Sequence, residues 1–265
     1  MSATSPEIRE LVRESPALSL ALQSEFMHSA RIAELLAPYL NPAVLSPAQL
    51  KDISTYIDLL THWNARINLT AIRSEEEMVT RHFGESVFAA RHLFPASPVN
   101  QDLDFDSDPS LPAQSDPTRH SVLRTRSSLL AADLGSGAGF PGIPIKLWAP
   151  EIHMTLIESN HKKSAFLREV VRSLTLTNID IQTARAESLS QTYDVVTLRA
   201  VERFPLILSI AARLTKPSGC LALLIAASQI DQARAILPSF TWHDPISVPD
   251  SRSRLLAIAS REPEQ

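Results

Sequence analysis

Ten residues, Asp133-Leu134-Gly135-Ser136-Gly137-Ala138-Gly139-Phe140-Pro141-Gly142, hold four of the six glycines in a chain of 265 residues. Glycine loses more conformational freedom on folding than any other residue, so such a cluster implies positive φ or a close backbone approach to something. A short apolar run, Leu129–Leu134, precedes it, and a helix-compatible segment, Ile143–Trp148, follows. Strand, glycine turn and helix start together make a nucleotide cradle, with backbone N–H groups facing the ligand.

Downstream, the pattern alternates as in a parallel α/β sheet. It predicts strands at Leu129–Leu134, His153–Glu158, Ile179–Thr183, Tyr193–Leu198, Cys220–Ile225, Ile246–Val248 and Arg254–Ala259. Helices are predicted at Ile143–Trp148, Lys162–Leu174, Phe204–Leu214 and Ile230–Leu237. The fold class is α/β: a Rossmann-like, mostly parallel sheet of seven strands over residues 129–265, with ligands at the carboxyl ends of the strands.

Upstream, residues 1–94 read as a small helical extension. Residues 1–20 are either a short helix over Pro6–Arg13, interrupted by Pro16, or disordered. Ser24–Leu36 has helical spacing and Pro38 ends it. Ser46-Pro47 opens a helix with Leu50, Ile53, Ile57, Leu60 and Trp63 on one face, running to about Asn64. Arg66–Arg73 is a loop, and Ser74 with Glu77 is a capping-box pattern opening the next helix. Residues 95–128 carry prolines at 95, 98, 109, 112 and 117 among Asp, Ser and Gln, and read as a disordered insertion.

Composition excludes several classes. No apolar run is long enough for a membrane span, and the acidic first thirty residues are not a secretory signal. One cysteine, Cys220, excludes an internal disulfide framework and points to a reducing, cytoplasmic compartment. The net charge of −4 is unevenly spread: Asp102, Asp104, Asp106, Asp108 and Asp116 fall in a stretch without Lys or Arg, so the remainder is near neutral and leaves room for a basic face. Histidine spacing gives no metal site, and the G-x-S-x-G nucleophile elbow is absent.

Two cofactor classes suit the loop. The dinucleotide fingerprint G-x-G-x-x-G fits less well than the S-adenosylmethionine (SAM) signature, in which an acidic residue leads G-x-G-x-G: here Asp133, Gly135, Gly137 and Gly139. SAM carries a cationic sulfonium and an ammonium, so an acidic residue at the strand end is tolerable or helpful. Glu158 ends the second strand, where it either accepts both ribose hydroxyls or is a solvated acid. Arg185-Ala186-Glu187 after the third strand either meets an adenine edge or is a plain turn. Arg199, ending the fourth strand, puts a guanidinium at the sheet's mouth, above the reactive end of the cofactor. There it pairs with a substrate carboxylate or phosphate, or structurally with Asp133 or Glu158. Lys162, Lys163, Arg168 and Arg172 form a basic helix face, either solvated or in contact with nucleic acid.

At this point the chain resembles the RsmG/GidB family, which methylates N7 of guanine 527 in 16S ribosomal RNA. The block from Asp133 to Pro144, with its Phe-Pro-Gly-Ile-Pro tail, is similar to that family's cofactor loop. Trp63-Asn64 with Asn68-Leu69-Thr70 resembles its W-N-x-x-x-N-L-T. Arg81-His82-Phe83-Gly84-Glu85-Ser86 resembles its R-H-x-x-D-S, with Glu85 for Asp, and Lys162–Leu167 resembles its K-x-x-F-L helix. The resemblance implies SAM contacts at Gly135, Phe140, Ala186, Glu187 and Arg199, with Glu158 at the acidic strand end. It also implies that Arg81, His82, Lys163 and Arg199 lie toward the RNA. It implies action on the small ribosomal subunit; a monomer is expected, and because guanine N7 has a free lone pair, no general base is required. The family's lysine near the end of the fifth strand is Ile225 here; either that lysine is dispensable or another base, Arg203 or Arg252, replaces it. A SAM-dependent methyltransferase for another substrate, a nicotinamide-dependent oxidoreductase and a non-catalytic RNA-binding or assembly factor are the competing readings.

Overall fold

The computed structural model describes residues 16–95, 129–200 and 203–263, with side chains from residue 28 onward. The expected Pro6–Arg13 helix and nearly all of the 95–128 insertion lie outside the described residues.

Helix α1 (Pro16–Leu40) starts earlier than its apolar spacing predicts and passes through Pro38. A proline inside a helix loses the bond to the carbonyl four residues back. Here the loss falls in the final turn, where buried Leu36, Tyr39 and Leu40 pin the chain. Helix α2 (Pro47–Ile67) starts where expected, because Ser46 and Gln49 form a reciprocal capping box and Pro47 needs no donor. It runs one turn longer than expected and ends on Asn68 at φ 46°, a left-handed cap. The Ser74 box does not form. Instead a single turn, Glu75–Glu77, runs into a π-helix, Met78–Gly84, and on into α3 (Glu85–Leu93). The wider i→i+5 winding is rare, and within α-helices it occurs frequently at functional sites.

The α/β part follows as β1 (Leu130–Leu134), α4 (Gly142–Trp148), β2 (His153–Ile157), α5 (His161–Ser173), β3 (Ile179–Gln182), β4 (Tyr193–Arg199) and α6 (Phe204–Leu214). Then come β5 (Thr215–Ala226), α7 (Ile230–Ile236), β6 (Phe240–Trp242), β7 (Ile246–Ser247) and β8 (Arg254–Arg261). Strand β5 begins five residues before its apolar run, and three-residue β6 is an eighth strand too short to show a period.

The sheet order is β3-β2-β1-β4-β5-β8-β6, with β7 paired to β8. Strands β1 to β5 are parallel, while β8 is antiparallel to β5, β6 and β7. Chain order reverses at β1, which lies between β2 and β4; that switch opens a crevice at the carboxyl edge, and the glycine loop leaves β1 into it.

Two buried clusters cover the two sheet faces. One gathers Leu208, Leu214 and Ala233 from α6 and α7. The other joins Phe166 and Val170 of α5 and Ile143 of α4 to Leu36, Ile53, Tyr56, Phe83 and Val87 of the N-terminal helices. Polar ties reinforce that contact: Trp63 Nε1 donates to Glu169 at 3.1 Å, Gln49 Nε2 to the Leu147 carbonyl at 2.8 Å, and Trp148 Nε1 to the Phe94 carbonyl at 2.8 Å. The helical extension is thus packed directly over the element that carries the loop.

Candidate functional site

The loop is shaped from below by Asp133. Its side chain is enclosed, with Oδ2 accepting from the Gly142 N–H at 3.1 Å and Oδ1 from the Thr197 hydroxyl at 2.9 Å. Burial pushes this carboxyl up to about 6, against the pull of those hydrogen bonds. The carboxylate therefore ties β1, β4 and the start of α4 together, inside the protein rather than facing the cleft; its effect on a bound cation would come through its field and through the loop's shape. The backbone turns through positive φ at Gly135 (69°), Gly137 (58°) and Gly139 (90°). A Cβ on Gly139 would also lie 2.7 Å from Ile143 Cδ1, so both conformation and space demand glycine there.

The other wall comes from α2. Tyr56 is wholly buried, its hydroxyl donates to the Ala138 carbonyl, and burial raises its pKa well above that of a free tyrosine. Its ring stacks on Phe140, with centroids 5.3 Å and planes 4° apart. His82, from the π-helix, also stacks on Phe140, at 4.7 Å and 18°. Phe140 is 5% exposed and is held by these rings.

Above the loop lies a cavity of about 480 Å³. Of the residues singled out in the sequence, Gly135, Glu158, Ala186, Glu187 and Lys163 line it. Glu158 accepts from the Gly137 N–H at 2.9 Å and from the Asn160 N–H at 2.7 Å, so it braces the loop from the end of β2. Lys163, expected toward the RNA, sits on the first turn of α5 in this wall, with Arg185 nearby. Arg203 lines it too, at φ 55°, as does Ala200 at φ 48°. Non-glycine residues rarely take such angles, and they concentrate at functional sites.

Arg199 is elsewhere. Neither Asp133 nor Glu158 is its ion-pair partner. It turns toward the helical extension: Nε donates to Glu85 at 3.1 Å, Nη1 to His82 Nδ1 at 3.1 Å, and Nη2 to the Arg81 carbonyl at 2.7 Å. A helix passing from i→i+5 to i→i+4 spacing leaves one carbonyl without a partner on its own axis; Arg199 supplies a donor in that region of the π-helix. The guanidinium can only donate, so His82 Nδ1 must accept, and Nε2–H then donates to Thr70 Oγ1 at 2.8 Å. Burial first, then Arg199, Arg81 and Arg254, push the His82 pKa down to about 3, so the ring is neutral. His82 is 9% exposed; its expected place facing RNA is taken by a buried bridge. Arg81 itself is on the surface beside Glu77 at 3.3 Å.

Thr70 is positioned by Asn64, which bonds both its N–H and its carbonyl at 3.0 Å. The motif residues Asn64, Thr70, Arg81, His82, Glu85, Phe140 and Arg199 therefore meet in one place. Three participants were missed: Tyr56, Thr197 and Arg254. Tyr56 lies one residue before Ile57 on the buried face of α2, and a buried phenol needs a partner, which was the available signal. Arg254 starts β8 opposite Ala226 and lies 3.6 Å from Glu85. Ile225 is buried in the core, and Arg252 is exposed. Among the described residues no cluster could hold a metal ion, and no helix is long and apolar enough to cross a membrane.

Against known proteins, the chain matches the family model GidB, rRNA small subunit methyltransferase G, over residues 49–112 and 120–248. It is 32% identical over 197 residues to ribosomal RNA small subunit methyltransferase G of Bacillus subtilis (strain 168), covering 72% of this chain and 70% of that one. The protein of the same name from Xylella fastidiosa (strain 9a5c) is 34% identical over 198 residues, covering 73% and 78%. That of Xanthomonas axonopodis pv. citri (strain 306) is 30% identical over 239 residues, 89% of both chains.

Proposed function

The chain belongs to the GidB family, rRNA small subunit methyltransferase G, and from that membership we propose that it moves the methyl group of SAM onto N7 of guanine 527 in 16S ribosomal RNA. The observation that carries the cofactor half is the cavity at the switch point of the sheet. It brings together a glycine turn, an acid at the end of β2 and charges of both signs: Glu158 and Glu187 against Lys163, Arg185 and Arg203. A ligand that is at once sulfonium, ammonium and carboxylate requires both signs. The Glu158 oxygens each accept one N–H and keep a lone pair for ribose hydroxyls.

SAM supplies the methyl group; the rest falls to this chain's residues. Guanine N7 carries its own lone pair, so no side chain has to remove a proton. The work is placement, and orientation alone is worth up to about 7–11 kcal/mol in favourable systems. In this reading Arg199 is a positioning residue that fixes Glu85, His82 and the Arg81 carbonyl. A ribosomal substrate places the protein in the cytoplasm.

The test is transfer from labelled SAM to small subunits that lack the modification. Label on N7 of guanine 527 is the expected result. Label on another nucleotide or on protein, or tight RNA binding with no transfer, would reject it.

A further inference from the structure

Glu85 is buried, and its two oxygens face two guanidinium groups: Arg199 Nε at 3.1 Å from Oε2 and Arg254 Nε at 3.6 Å from Oε1. Among the described residues Glu85 is the carboxylate within 4 Å of both guanidinium groups, while the charge of Arg199 also acts on Asp133.

The two arginines differ in what they have left to donate. Arg199 uses Nε, Nη1 and Nη2 on Glu85, His82 and the Arg81 carbonyl, and its side chain is 8% exposed. The Arg254 side chain is 26% exposed, and its guanidinium makes no hydrogen bond among the described residues. Strand β8 runs against β5, so its first residue, Arg254, lies opposite Ala226 at the carboxyl end of β5. This is the edge on which β4 ends at Arg199 and on which the cavity opens. Arg254 is outside the cavity wall, across β5 from it.

Resting on the RNA methyltransferase reading, we propose that Arg254 is a phosphate-binding residue: its Nη groups grip a phosphodiester of the RNA beside the target base, while Glu85 holds Nε and aims the fork outward. A guanidinium fork matches a phosphate bidentately, which an ammonium cannot do. A carboxylate of the cofactor offers similar chemistry, but Arg254 lies beyond the cavity wall, within reach of RNA rather than of the cofactor.

The experiment compares the full chain with Arg254→Gln and Arg254→Lys on small subunits lacking the modification, over a series of salt concentrations. SAM affinity is followed by calorimetry and folding by thermal unfolding. Arg254→Gln is expected to raise KM for the subunit about tenfold at unchanged kcat and unchanged SAM affinity. The plot of log(kcat/KM) against log salt should become shallower by about one, and Arg254→Lys should restore the slope. Three results would overturn the proposal: an unchanged slope with unchanged KM, weaker SAM binding with an unchanged slope, or a lower kcat and melting temperature with an unchanged slope. The last would mean that Arg254 only neutralises Glu85. Failure of the unaltered protein to transfer methyl groups to the subunit would reject the underlying reading, and this one with it.

Discussion

Replacing Glu85 with alanine should cost far more than a carboxylate on a helix normally does. Exposed ion pairs are worth about 0–1 kcal/mol. The Glu85 side chain is 4% exposed and that of Arg199 is 8%, at 3.1 Å. Removing one member of so buried a pair leaves the other charge without compensation, which typically costs about 3–5 kcal/mol. Two features of the surroundings act in opposite directions. Arg199 keeps His82 and the Arg81 carbonyl as acceptors, which lowers the cost. Arg254 then faces Arg199 with no carboxylate between them, which raises it. The middle of the range, about 4 kcal/mol, is a large share of a typical stability of about 5–15 kcal/mol. For a protein of this size that lowers the melting temperature by roughly 8–16 °C, at about 2–4 °C per kcal/mol. Glu85→Gln keeps the shape and one acceptor and should fall about halfway. The double change Glu85→Leu with Arg199→Met removes both charges at similar volume but strips His82 Nδ1 and the Arg81 carbonyl of their donor, so it should stay well below the unaltered protein. Urea unfolding at pH 7, followed by circular dichroism, gives all three values. A cost below about 1 kcal/mol for Glu85→Ala would show that the pair behaves as a solvated one and would refute the reasoning.

Tyr56→Phe keeps the Phe140 stack but strips the Ala138 carbonyl of its donor, at about 1–3 kcal/mol; with the loop untethered, calorimetry should show SAM binding about tenfold weaker, and unchanged affinity would separate the tyrosine from the cofactor loop. Stability against pH should be nearly flat between about pH 4 and 6, because two groups oppose each other. His82 titrates at about 3 when folded against 6.5 free, so its contribution is complete above pH 6.5 and is lost as pH falls toward 3. Asp133 titrates at about 6 against 3.8, so its contribution is complete below about pH 4 and is lost as pH rises through 6. His82→Gln should therefore be stabilised by acid over that window and Asp133→Asn destabilised, each by at most ~1.4 kcal/mol per pH unit; urea midpoints that run parallel in all three proteins would contradict this.

What was legible in the sequence was local. The α6 boundaries, Phe204–Leu214, coincide with the expectation because the helix starts just before a proline and carries an apolar period. Strands β1 to β4 fall within a residue of their apolar runs. Where a boundary depends on tertiary packing, the pattern is silent. Pro38 reads as a stop but is overruled by the burial of Tyr39 and Leu40, and the Ser74 box fails because the next turn widens into a π-helix. The same division holds at the site. The positive-φ glycines were readable from spacing, since the cradle is built within one strand-turn-helix unit, whereas the bonds of Glu158 to the Gly137 and Asn160 N–H groups were not. The direction in which Arg199 points was not, because its partners lie 114 and 117 residues away on another layer.

That direction follows from the pleat of β4. Side chains two residues apart on a strand share a face, so Thr197 and Arg199 point the same way. Thr197 takes the Asp133 carboxylate under the glycine loop, and Arg199 takes Glu85, His82 and the Arg81 carbonyl in the helical layer. The second connection between these regions is His82, bonded at both nitrogens and stacked on Phe140 in the loop. Rotation of that ring would break the Thr70 and Arg199 bonds together and leave buried polar atoms unpaired, at about 1–3 kcal/mol for each. A neutral, fully bonded histidine therefore makes a stiff joint, whereas an exposed charged one would be free to rotate. The R-H-F-G-E-S stretch thereby fixes the loop's position relative to Arg199 and Arg254 from the N-terminal side. Under the proposed reaction, this bonded set of side chains is what would hold the cofactor loop at a fixed distance from the arginines of the helical side.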